Sequence, residues 1–228
     1  LVYPELYTPM TRYALSELAK RILGIDQEIT NEALGVIAAS IYTPFLAALV
    51  SSFVSSSTIS YLFLSDKNQG VFEVLLSAPI SKRSIIIALL IYTLLTAFLT
   101  QIIVMIVASG VSFGILIFSG YIINLGSYYV ELIFLLVPSL TFLAALLSLA
   151  LTITIPSLGE IKMGFAPGQS LLTILSISPA LISFIILNVI PTTDPISLSV
   201  DTLIVSLILM IIVLLMLPQL IKDERLIK

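Results

Sequence analysis

Long apolar runs alternate with short polar segments along most of this chain. Five runs are long enough for a helix of about 20 residues, which crosses a hydrocarbon core about 30 Å thick. They are residues 33–64, 85–108, 127–155, 170–190 and 202–217. Strand-like alternation is absent, and in lipid a helix satisfies its own backbone hydrogen bonds. The pattern predicts an all-α integral membrane protein, a polytopic helical bundle with five spans in a transmembrane domain over 33–218.

The segment 110–126 is apolar but carries four glycines, and it fits either a sixth short span or a bent segment at the membrane edge. Charge decides between these, because Lys and Arg are enriched in cytoplasmic loops. If the segment does not cross, the loops 65–84 and 156–169 lie on one side with the tail 219–228. These three stretches carry Lys67, Lys82, Arg83, Lys162, Lys222, Arg225 and Lys228.

The loops expected on the opposite side, 109–126 and 191–201, carry no Lys or Arg. A non-crossing segment therefore gives a consistent positive-inside pattern, with the C-terminal tail in the cytoplasm. Under this topology Tyr121, Tyr128 and Tyr129 lie near the outer interface, as in an aromatic belt.

Residues 1–32 are then expected outside the cell membrane. They contain the segment YALSELAKRILGI, whose apolar positions recur at helical spacing. This predicts an amphipathic helix that lies on the outer surface or packs on the spans. An extracellular start without Met suggests a further span upstream of Leu1, which would make six in all.

Composition supports a membrane protein and excludes several chemistries. Hydrophobic residues make up 59% of the chain and charged residues 10%, against about 25% charge in soluble domains. The chain has no Cys and no His, which removes thiolate chemistry, the commonest haem and zinc ligand and the commonest general base. The net charge of −3 gives no sign of nucleic-acid binding, and membrane lipid is the expected surrounding.

The loop 65–84 is the most polar break between the spans, and its residues predict a short helix parallel to the membrane. Phe72, Leu75 and Leu76 share one side of this helix. Pro79 ends it and biases the residue before it away from the helical region. Ser81 is well placed as the N-cap of the next span. Such a helix can fit a groove on a cytoplasmic partner and transmit force to the spans.

The stretch DKNQGVFEVLLSAPISKRSIII resembles the signature of ABC-2 type permeases, the membrane subunits of a large class of ABC transporters. The family pattern is an acidic residue, then Gly-Thr-x-Glu-x-Leu-Leu, then Pro-Ile-Ser, between the second and third family spans. The matching residues are Asp66, Gly70, Glu73, Leu75, Leu76, Pro79, Ile80 and Ser81. Val71 stands where the family usually has Thr.

The resemblance implies that this loop is a coupling helix that docks on a separate ATP-binding subunit. The residues it assigns to coupling are Asp66, Gly70, Phe72, Glu73, Leu75, Leu76, Pro79, Ile80 and Ser81. This chain has no Gly-x-x-x-x-Gly-Lys-Ser/Thr loop, the motif that binds the phosphates of ATP. ATP and Mg would therefore be bound by that partner, and we expect this chain to hold no cofactor or metal of its own. The working unit would contain a second permease, identical or different, and would act as an exporter.

Two polar residues within the spans are candidates for a pathway or a helix interface. Gln101 is the strongly polar side chain of the second span, where interface hydrogen bonding competes with pathway lining. Glu131 is an ionisable residue near the outer end of the third span. Its carboxylate either has a functional role within the membrane or extends to the outer membrane interface. No carboxylate pair or nucleophile constellation is present, so we expect a non-catalytic subunit. A membrane anchor or scaffold subunit and a secondary transporter are the alternatives.

Overall fold

The computed structural model describes residues 9–25, 30, 33–155, 171–189 and 195–220, and within these ranges the chain is helical, without strands. The elements are α1 (Pro9–Leu23), α2 (Leu34–Asn68), α3 (Val71–Ser77), α4 (Lys82–Phe118), α5 (Ser127–Glu131), a π-helical turn (Leu132–Leu136), α6 (Val137–Thr154), α7 (Leu171–Val189) and α8 (Pro195–Leu220).

Four helical segments are long and apolar enough to cross a membrane: Leu34–Asn68, Arg83–Phe118, Ser127–Thr154 and Ile196–Leu215. They correspond to the first, second, third and fifth predicted spans. The fourth predicted span is an apolar helix, but its stretch Leu171–Ile186 is shorter than the other four. The all-helical, multi-pass character is therefore supported. That the fourth predicted span also crosses the membrane stays a prediction.

Helices α2, α4 and α8 run further than the sequence pattern predicts. Helix α2 continues to Asn68, into the charged loop, and α8 begins at Pro195 rather than near 202. Proline is favoured in the first turn of a helix, because its fixed φ suits the helix. The N–H that proline lacks would have no partner within the helix at this position.

The prediction that 110–126 is a bent segment is wrong for 110–118, because α4 continues without a break to Phe118. Gly110 and Gly114 lie inside α4, and one helical glycine costs only about 1 kcal/mol. Two such costs do not end a helix whose other residues are apolar. The chain turns instead at Gly120, whose φ of +84° favours glycine.

Helices α5 and α6 form one rod that is interrupted by the π-helical turn Leu132–Leu136 just before Pro138. Proline has no N–H to donate to the carbonyl four residues earlier, and its ring collides with that carbonyl in a regular α-helix. A π-helical turn widens the backbone at this point. The local distortion that the proline predicts is thus accommodated without ending the rod.

The α5–α6 rod lies at the centre of the bundle. In its most apolar stretch 67% of the residues are buried, against 17% for α4 and 22% for α8. Helix α6 contacts α2, α4, α7 and α8. The apolar outer sides of α4 and α8 are left exposed, which is the arrangement expected when lipid surrounds the bundle.

Hydroxyl pairs join the helices inside this bundle. Ser51 Oγ lies 2.6 Å from Thr141 Oγ1, and Ser60 Oγ lies 2.7 Å from Ser148 Oγ. Both pairs connect α2 to α6, which run parallel. In lipid, the hydrophobic effect contributes little to the association of helices. Close packing of small side chains and hydrogen bonds of this kind hold the helices together instead. Ser51 and Ser60 therefore serve the close packing of α2 against α6.

Helix α1 packs against one end of the bundle and is amphipathic as predicted. Its apolar side, with Ala19, Ile22 and Leu23, is buried together with Leu116 and Tyr121. Two backbone hydrogen bonds fix the contact: the Asn124 amide donates to the Leu23 carbonyl at 3.0 Å, and the Gly126 amide donates to the Ile22 carbonyl at 3.2 Å. Of the two predicted positions for this helix, packing on the spans is the one observed.

The aromatic belt predicted for this end is wrong for two of its three tyrosines. Tyr121 is 9% exposed and Tyr129 is fully buried. The Tyr121 hydroxyl lies 3.3 Å from Thr30 Oγ1, and the Tyr129 hydroxyl donates to the Ser40 carbonyl at 3.4 Å. These rings pack within the end of the bundle instead of facing the membrane interface.

Replacing Gly24 by Ala is expected to detach α1. Gly24 has a φ of +62°, and a Cβ there would overlap the backbone oxygen of Asn124. Left-handed geometry costs a non-glycine residue about 1–2 kcal/mol, and the overlap adds to it. In detergent, Gly24→Ala should increase trypsin cleavage after Lys20, which is exposed on α1.

Gly120→Ala is the matched control, since Gly120 also has positive φ but a Cβ there meets nothing within 4 Å. Equal cleavage of α1 in both variants would contradict a specific contact between Gly24 and Asn124.

Candidate functional site

The end of α2 turns sharply into the charged loop. The Gln69 amide donates to the Ser65 carbonyl at 3.0 Å, and the Gly70 amide donates to the Lys67 carbonyl at 3.0 Å. Gly70 then adopts a φ of +73°, which glycine tolerates without steric cost. Its carbonyl accepts from the Glu73 amide at 3.1 Å, so the same glycine ends α2 and starts α3.

The predicted short helix and the elbow at Pro79, where the chain leaves this helix and enters α4, are present. Helix α3 is Val71–Ser77, and Ala78 follows in an extended conformation with ψ of 152°, as expected before Pro79. Ser81 is the N-cap of α4, because its Oγ accepts from the Ser84 amide at 3.1 Å. The three sequence predictions for helix, proline stop and serine cap are confirmed.

One side of α3 is anchored in the bundle. Phe72 is 2% exposed, and its ring centroid lies 4.7 Å from that of Phe63 on α2. Leu75 packs partly buried against the same apolar cluster. We call this cluster the elbow core. Its buried members are Ile59, Phe63, Phe72, Ile86, Leu90, Ala97, Ala145, Leu146, Leu149, Ile153 and Val213. It joins α3 to α2, α4, α6 and α8.

The other side of α3 is free. Val74 is 69% exposed, and Glu73, Ser77 and the following Ile80 are exposed as well. Val74 is an apolar side chain directed away from the bundle on a helix that already buries Phe72. The residues assigned to coupling therefore divide into an anchoring set and an outward set; the Leu76 side chain lies outside the described residues.

Local charges suit the helix ends at this site. Lys67 lies in the last turn of α2, where the partial negative charge of the helix end favours a cation. Glu73 lies in the first turn of α3, where the positive end favours a carboxylate. Asp66 is half-buried beside them and forms no ion pair with a described side chain. The exposed Arg83 follows in the first turn of α4.

A groove of about 500 Å³ opens between the end of α2, α3 and the start of α4. Its walls are mainly apolar, with Asp66 and Ser84 as polar members. The lining residues are Leu62, Asp66, Val71, Phe72, Leu75, Ile80, Ser84, Ile85, Ala88, Leu89 and Tyr92. Sequence reasoning missed this groove, since it arises from the angle at which three helices meet and no local pattern encodes it.

Gln101 and Glu131 are not part of this site. Gln101 is 19 residues beyond Lys82 in α4, about 28 Å along the helix axis. It is 8% exposed, and its Oε1 has no hydrogen-bond partner among the described residues. Glu131 is exposed at the end of α5, which belongs to the opposite end of the bundle. The two pathway candidates therefore differ in burial, since Gln101 is buried and Glu131 is exposed.

No family model, no curated protein and no solved structure matches this chain.

Phe72→Ala should lower the free energy of unfolding by about 3 kcal/mol, because it removes a buried ring and leaves a cavity in the elbow core. Val74→Ala is the control on the same short helix, and it should change stability by less than about 0.5 kcal/mol because Val74 is exposed. Denaturant unfolding in a fixed detergent measures both. A similar loss for the two variants would refute the division of α3 into an anchored and a free side.

Gln101→Met should stabilise the chain by about 1 kcal/mol. Methionine has a similar length and flexibility, and the change removes a buried carbonyl oxygen that has no described partner. Thermal unfolding in detergent tests this. A clear loss of stability would instead indicate that the Gln101 amide has a partner, as the helix-interface interpretation of this residue requires.

Proposed function

We propose that this chain is the membrane-spanning permease subunit of an ABC-2 type transporter, an exporter whose ATP is hydrolysed by a separate ATP-binding subunit. The observation that carries the proposal is α3: a short helix between two long apolar helices, anchored by Phe72 and presenting Glu73 and Val74 outward. This is the form that the resemblance of Asp66–Ser81 to the family signature implies for a coupling helix.

The geometry supplies a route for force from α3 into the bundle. A push on the outward side of α3 would be borne by Phe72, whose ring packs on Phe63 of α2. The elbow core extends this contact to α4, α6 and α8. The Ser81 cap and Pro79 keep the link to α4 short and stiff. Motion of α3 would then move several helices together.

The outward side of α3 offers a small docking surface. Val74 provides an apolar contact, and Glu73 provides a carboxylate beside it. An apolar residue beside polar groups matches the general composition of protein interfaces, which have an apolar core and a polar rim. The partner, under this proposal, is the ATP-binding subunit, and residues 65–84 face the cytoplasm.

Val74→Lys is expected to weaken binding of the ATP-binding subunit tenfold or more, because it places a charge at the centre of the proposed contact. A tenfold loss of affinity corresponds to about 1.4 kcal/mol of binding free energy. Asn68→Lys is the matched control: it adds the same charge at another exposed position in the same loop region. Both variants are purified in mild detergent with their associated proteins, and the amount of ATP-binding subunit is quantified.

Each other outcome has a defined meaning. Equal retention of the ATP-binding subunit by Val74→Lys and the wild type would refute docking through α3. Absence of any ATP-binding subunit would favour an anchor or scaffold role. Transport by the chain alone in proteoliposomes, driven by an ion gradient, would favour a secondary transporter.

A further inference from the structure

The groove beside α3 has a polar end and an apolar end. Asp66 and Ser84 lie at one end, and Leu62, Leu89 and Tyr92 lie at the other. Ser84 and Tyr92 are eight residues apart on α4, so the groove is about 12 Å long. Its volume of about 500 Å³ is within the range of pockets that bind small molecules. A molecule that fills it must be polar at one end and apolar at the other.

Two exposed tyrosines place this groove at the membrane surface. Tyr61 on α2 is 70% exposed and Tyr92 on α4 is 46% exposed. Exposed tyrosines in membrane helices concentrate at the boundary between headgroups and hydrocarbon. With Tyr92 at that boundary, Asp66 and Ser84 lie at headgroup depth. The amphipathic molecules available there in quantity are the lipids of the bilayer.

The charges around the polar end select the headgroup. Asp66 is the one charged residue among the described residues that line the groove, and its carboxylate favours a cation that donates hydrogen bonds. The exposed Arg83 precedes Ser84 and favours a phosphate. A primary ammonium and a phosphate joined by a short linker occur together in an ethanolamine phospholipid. A glycerol headgroup lacks the cation, and a choline headgroup has no N–H to donate.

We infer that the groove between α2, α3 and α4 binds an ethanolamine phospholipid, with its ammonium at Asp66 and the start of an acyl chain against Leu62 and Leu89. The bound lipid also contacts Phe72 and Leu75, so it lies against the anchored side of α3. This inference does not depend on an ATP-binding partner, whose proposed surface is the opposite side of α3.

The chain has no Trp, which allows a site-specific fluorescence test. Tyr92→Trp places a single reporter in the groove, and Ile106→Trp places one on the lipid-facing side of α4, where Ile106 is 67% exposed. Each variant of the full chain is reconstituted with phosphatidylethanolamine or phosphatidylglycerol that carries brominated acyl chains. Bromine quenches a Trp that it contacts, so competition between brominated and plain lipids gives the relative affinity for each headgroup.

Tyr92→Trp should show about a two- to fivefold preference for phosphatidylethanolamine over phosphatidylglycerol, the size expected of a solvent-accessible ion pair. Ile106→Trp should show no preference. Asp66→Asn combined with Tyr92→Trp should remove the preference, while Asp66→Glu should keep it. Unchanged quenching at Ile106→Trp in the Asp66→Asn background would verify that this variant is folded and inserted.

Three results would overturn the inference. The first is equal quenching of Tyr92→Trp by both lipids. The second is a preference that survives Asp66→Asn. The third is an absence of quenching at Tyr92→Trp, which would mean that protein, from a second copy or from this chain, covers the groove.

Discussion

The hydrogen bonds between hydroxyl groups of α2 and α6 are the constraint on which the arrangement of the bundle depends. In an apolar surrounding, helices gain little from burying leucine against leucine, so their relative position is set by close approach and polar contacts. The Ser51–Thr141 and Ser60–Ser148 pairs fix two levels of the same interface. Two levels define both the separation and the register of parallel helices, and α4, α7 and α8 then pack around this pair.

Helix α2 also connects the two ends of the bundle. Near its start, Ile37 and Ile41 belong to the cluster that holds α1. Near its end, Ile59 and Phe63 belong to the elbow core that holds α3. Each end is thus closed by a short helix resting on the long helices. Such terminal helices bury less surface than the central rod, and local openings are expected to begin there.

The sequence predicts this fold best where a physical signal is local. The breaks at Gly70, Pro79 and Ser81 depend on residues within one turn, and all three agree with the structure. The end of α4 depends on how much two glycines weaken an apolar helix, and the glycine-rich pattern predicts this end ten residues too early. The burial of Tyr121 and Tyr129 depends on packing with residues of α1, α2 and α4, and no local pattern around either tyrosine contains that information. The groove at Asp66 and the exposure of Val74 are likewise products of packing.

The two sides of α3 suggest how a lipid and a protein partner would influence each other. The proposed docking surface contains Val74, whereas the groove is lined by Phe72 and Leu75 of the same seven-residue helix. A helix this short is held by its tertiary contacts, because too few residues are present for it to be stable alone. An occupant of the groove that fixes Phe72 therefore also fixes the orientation of Val74. Binding free energies coupled in this way are reciprocal: a partner that requires one orientation of α3 would raise the affinity of the groove for the lipid that stabilises it.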